Sequence, residues 1–80
     1  MIRLKNVKRQ DNIITMDAFV ESCEEALPLI LDVQKQDFEP YVFPKGYEWC
    51  TSHVAKAKWK LLRMLDNGEE LPEKLCIMWY

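Results

Sequence analysis

Cys50 and His53 are the two residues of this chain whose types and spacing come nearest to chemistry. A cysteine and a histidine three positions apart can hold one zinc ion between them, or can share a proton as a thiol nucleophile and its base. Each use needs more than the pair. A structural zinc site normally adds a second local pair of ligands, and the remaining cysteines, Cys23 and Cys76, stand singly and far off in sequence. A nucleophile pair needs a third group to orient the imidazole, and no acid has motif spacing to do so. Cys50 is therefore expected to be a free thiol before a helix and His53 a half-exposed residue of its first turn. No catalytic, metal or cofactor residue is assigned, and a thiol or hydrolytic enzyme built on Cys50 and His53 is the minor alternative. A phosphate loop has no basis either, since Gly46 and Gly68 are the only glycines.

The next constellation is a surface. From position 52 to 66 the chain has no glycine or proline, Ser52 can cap the start, and Asn67 and Gly68 supply a stop. At about 100° per residue, Val54, Leu61 and Leu65 share one side with Leu62, Ala55 and Ala57 near them. Lys56, Lys60 and Arg63 fall opposite, with Trp59 and His53 at the margins. One basic stripe beside one indole is the kind of surface that binds single-stranded nucleic acid, which makes that the alternative function. Lys58 turns toward the apolar side, where it either snorkels past the sheet or meets an inward acid such as Asp17 or Asp32. Phe38, Tyr41, Phe43, Tyr47 and Trp49 are expected to roof the core near the helix start.

Such residues need a scaffold, and the first half of the chain reads as strands. Residues 2–9 and 13–20 alternate around the turn signal Gln10, Asp11, Asn12. A three-residue loop sorts the two faces, pairing Ile2 with Val20, Leu4 with Ala18 and Asn6 with Met16, and it puts Asn12 in the left-handed region. A two-residue loop would mix apolar and charged positions. Residues 22–36 carry both a helical stripe and a strand alternation, and Pro28 decides for a strand through Leu27, Leu29, Leu31 and Val33. Residues 38–43 are expected to form a short fourth strand interrupted by Pro40. Residues 75–80 are apolar on both parities and read as a strand covered on two faces. That strand places Ile77 and Trp79 under the helix with Leu61 and Leu65, and Cys76, Met78 and Tyr80 on the second face with Val7, Phe19 and Ile30.

Eighty residues with 49% apolar and 30% charged content suit one small domain with a modest core and no deep cleft of its own. A net charge of −2 gives no global attraction to nucleic acid or anionic membrane, and no segment nears the ~20 apolar residues of a spanning helix. Four cations in residues 1–10 face nine acids in residues 11–48, a blockwise pattern that neighbouring strands can neutralise. Three cysteines, an odd number without framework spacing, favour a reducing compartment, so a cytoplasmic protein is expected.

The run from Tyr47 through SHVAKAKWKLL, then Leu71, Pro72, Glu73 and the final Ile77, Met78, Trp79 and Tyr80, resembles a group of small bacterial proteins with a Ser-His helix start and an I-M-W-Y end. The likeness covers about the last 35 residues and implies a bacterial or mobile-element origin, with no activity attached. The expected fold is α+β: an antiparallel β-meander with one amphipathic helix packed on one face, and a C-terminal strand returning to the sheet. The expected function is a non-enzymatic protein-interaction or accessory module, with Lys56, Trp59, Lys60, Arg63, Phe19 and Met78 as its candidate surface. Its partner is an unidentified protein or, weakly, a second copy.

Overall fold

The computed structural model describes residues 1–79, among which five strands and one helix form a single two-layer α+β unit. Strands β1 (Ile2–Gln10), β2 (Ile13–Val20), β3 (Leu27–Asp32) and β4 (Asp37–Phe38) precede helix α1 (Thr51–Asp66), and β5 (Leu75–Ile77) follows it. The sheet is antiparallel with the order β4-β3-β2-β1-β5. Period-2 alternation explains its one-sidedness. Ile2, Leu4, Ile14, Met16, Ala18, Val20, and Leu27, Leu29 and Leu31 are all buried, while the intervening residues face the other way. The helix covers only the buried side.

The β1–β2 hairpin contains both registers that the sequence allows. Ile2 to Lys5 pair with Val20 to Asp17 as a three-residue loop requires, but Lys8, Arg9 and Gln10 pair with Thr15, Ile14 and Ile13 as a two-residue loop requires. A β-bulge between Lys5 and Lys8 reconciles them. Asn6 supplies the extra residue at φ +55°, a left-handed conformation that Asn tolerates, and the side of the strand switches so that Val7 is buried. Asn6 therefore does not take the core position opposite Met16, and Val7 does not lie on the outer face. At the turn, Asp11 and not Asn12 is left-handed. The Val7 amide, released from the ladder, donates to the Glu73 carbonyl at 3.0 Å.

Residues 27–32 are strand, as Pro28 demands: it lies in the part of β3 that β4 does not cover, where a missing N–H costs little. The fourth strand stops at Phe38, because Pro40 follows after a single further backbone bond, from the Glu39 amide to Ile30. Strand β5 is shorter than its apolar run and lies at the sheet edge beside β1, pairing Ile2 with Ile77 and Leu4 with Leu75. Leu75 and Ile77 thus join the helix-covered side, and Cys76 is exposed opposite Arg3 on the other. The expected position of Tyr80 lies outside the described residues.

Helix α1 begins two residues earlier than a cap at Ser52 allows. Cys50 occupies the cap position with no side-chain capping bond, because the start is set by burial of Cys50 on the same stripe as Val54, Ala57 and Leu61. The end follows the sequence: Gly68 at φ +70° donates to Leu65 and Glu69 donates to Met64, the paired bonds of a Schellman stop. The buried face is turned by about 40° from the expected one, toward His53 and Met64 and away from Leu65 and Ala55. That rotation also moves Lys58 out of the interior. Its ammonium reaches past the sheet to Asp37 at 3.4 Å, while Asp17 accepts from Asn6 and Asp32 caps the amides of Gln34 and Lys35.

Candidate functional site

The helix rotation buries His53, which is 6% exposed and not half-exposed as its sequence position suggested. Its Nε2 donates to Glu21 Oε1 at 2.5 Å, and the same oxygen accepts from the Met1 ammonium at 2.9 Å. Glu21 adopts φ +49° in the turn after β2. Two indoles meet the imidazole edge-to-face, Trp79 at 4.8 Å between ring centroids and Trp49 at 5.4 Å. No spacing rule links positions 21 and 53, so this pair was not readable from the sequence. His53 Nδ1 and Arg3 Nε are buried and have no hydrogen-bond partner among the described residues.

Cys50 is fully buried, and its thiol sits above the ordinary range. Burial is the main cause, helped by the charges of Glu21 and Cys23 and opposed by the N-terminal ammonium. The thiol is thus protonated and shut from water, and the His53 imidazole is committed to Glu21. Neither state suits a nucleophile pair. Among the described residues, no group of three or more His, Cys, Asp or Glu side chains could hold a metal ion. Native-state alkylation at mildly alkaline pH is therefore expected to modify exposed Cys76 first and to leave Cys23 and Cys50 until the chain unfolds, a sequence that mass spectrometry resolves. Rapid labelling of Cys50 would mean an open site. The raised thiol also fixes a sign: its stabilising effect is complete below the unfolded thiol range and is lost as pH rises through the folded value.

The surface candidates separate into two places. Lys56, Trp59, Lys60 and Arg63 are all exposed on α1, and they share one depression with Ile77 and Trp79 at the β5 end. Trp79 was expected only as core. The structure brings it beside the basic stripe, with the Lys56 ammonium 5.3 Å from its ring centre and that of Lys58 at the same distance from Trp59. Phe19 lies on the far side of the sheet, opposite Arg3 and flanked by the Arg3 and Lys5 cations at 5.5 and 5.2 Å. Met78 is 62% exposed just after β5. Of the aromatic segment, Phe38, Tyr41, Phe43 and Tyr47 pack against the core, but Trp49 is 62% exposed. Comparison with protein-family models, with curated proteins and with solved structures finds no match.

Proposed function

We propose that this chain is a non-enzymatic interaction module that docks a protein partner on the uncovered face of its sheet. The observation that carries this reading is the sheet's one-sidedness. The helix seals one side, whereas the other presents Ile13 and Ile30, at 36% and 43% exposure, beside half-buried Phe19. Around them, β1 contributes the cations Arg3, Lys5 and Lys8, and β2 and β3 contribute Asp17 and Asp32. An apolar centre with a mixed charged margin is the composition of a protein-binding patch.

A second copy fits that face poorly. Stacked about an axis along β2, Asp17 meets its own image; about an axis across the strands, the β1 row of Lys5 and Lys8 meets itself. A different protein with an apolar patch and both signs of charge avoids either conflict. Strands of two to nine residues, at ~3.3 Å per residue and ~4.8 Å apart, give roughly 440 Å², about half of a standard partner's share, so the complex is transient. Buried free thiols at Cys23 and Cys50 and an exposed one at Cys76 support a reducing cytoplasm as its setting. Among the described residues no helix is long and apolar enough to cross a membrane.

The test is site-specific photocrosslinking in cells from Thr15, which pairs with Ile30 at the centre of this face. One discrete heterologous product is expected, and Ile30→Asp should remove it while changing the melting temperature by only a few degrees. A product containing only this chain would identify a homodimer, and no product from this face would sink the reading.

A further inference from the structure

We infer that the depression between α1 and the end of β5 binds single-stranded nucleic acid, a second surface distinct from the uncovered sheet face. Lys56, Lys60 and Arg63 recur at i, i+4 and i+7 on α1, which at 1.5 Å per residue spaces them by about 6 Å and then 4.5 Å along the axis. Three long cationic side chains in a row can follow successive phosphates of one strand. Among the described residues no carboxylate lines the depression, whose remaining members are Trp59, Ile77 and Trp79. The local charge is thus +3 in a chain whose overall charge is −2. That concentration of one sign is the complementarity an anionic backbone requires.

The indoles decide which anion. A simple phosphate or an acidic peptide needs the cations but gains nothing from two tryptophans, whereas each base of a single strand offers a flat face to stack. Trp59 stands on the helix and Trp79 at the sheet edge, so bases entering the depression meet an indole on either wall. The Lys56 ammonium rests against the Trp79 ring, 5.3 Å from its centre. A stacking base takes the place of the ammonium, which then swings to the neighbouring phosphate. The exchange keeps both the π-face and the cation occupied. A duplex keeps its base faces internal, and Trp79 beside the helix obstructs entry of α1 into a major groove.

The experiment is fluorescence anisotropy of the full chain with a labelled twelve-nucleotide oligothymidylate, in parallel with the same strand annealed to oligoadenylate, at 50 and 200 mM NaCl. Three phosphate contacts on a single strand give a log–log salt slope of about −2, hence about twenty-fold weaker binding across that fourfold range. Trp59→Ala, a change at a residue 62% exposed, should weaken binding about tenfold without altering the melting temperature. Lys60→Glu with Arg63→Glu should abolish it. Equal affinity for the duplex would overturn the single-strand assignment, as would indifference to Trp59→Ala or displacement of the oligonucleotide by polyglutamate at equal charge concentration. No binding at 50 mM NaCl would overturn the site altogether. Ile30→Asp should leave oligonucleotide affinity unchanged, so failure here and failure of the sheet-face reading are separate results.

Discussion

Leu61→Ala is expected to lower the free energy of unfolding by about 3 kcal/mol. Leu61 is 1% exposed and lies on the stripe formed by Cys50, Val54 and Ala57, where the helix meets the sheet. A domain of this size has only ~4–12 kcal/mol in total, so the loss removes a large share of it and lowers the melting temperature by about 15 °C. Urea unfolding measures this directly, with an unchanged slope if the native state is unaltered. Leu65→Ala is the informative comparison. Leu65 is only half-buried because the helix face is turned toward Met64, so its truncation should cost about half as much. Equal losses at the two positions would contradict that rotation.

Trp79→Ala is expected to cost about 2 kcal/mol, an unusual penalty for a residue so near a chain end. Its indole is half-buried, contacts the core, meets His53 edge-to-face at 4.8 Å and lies beneath the Lys56 ammonium. Removing it also exposes the imidazole that holds Glu21. Thermal melting followed by far-ultraviolet circular dichroism at 222 nm gives the answer, since the midpoint of that backbone-dominated transition can be compared between the two chains. If the variant melts like the parent, the C-terminal indole is a loose tail and the wall it forms beside α1 does not exist.

Elements whose causes are local were legible in the sequence. The α1 stop follows from Gly68 alone, and Pro28 excluded a helix across residues 27–32. The open end of the hairpin was fixed by the need to put Ile2, Leu4, Ala18 and Val20 on one side. What failed was decided by packing. Ser52 is the better capping residue, but the interior claimed Cys50, and a shift of the buried face by less than half a turn carried His53 inward. The site shows the same division. The basic stripe with Trp59 could be read from helical spacing, whereas the approach of Trp79 and the pairing of Glu21 with His53 depend on where β5 and the turn after β2 come to rest.

Asn6, the additional residue of β1, has a further consequence for the evolution of the chain. Were it deleted, Val7 would stand alone opposite Met16 and the hairpin would run in one unbroken register to a two-residue loop, so the hairpin itself has no need of it. Its structural effect therefore lies at the other end of the molecule. Only because the strand buckles there does the Val7 amide turn out to take the Glu73 carbonyl, three positions before the described edge strand reaches Cys76. A one-residue contraction of β1 would leave a well-formed hairpin but remove the Val7–Glu73 bond, so that the C-terminal segment would hang on β1 by the pairing of Ile2 to Leu4 with Ile77 to Leu75. Insertions and deletions at this position should consequently be read in related chains as changes in the anchoring of the tail, although they occur some seventy residues away from it in sequence.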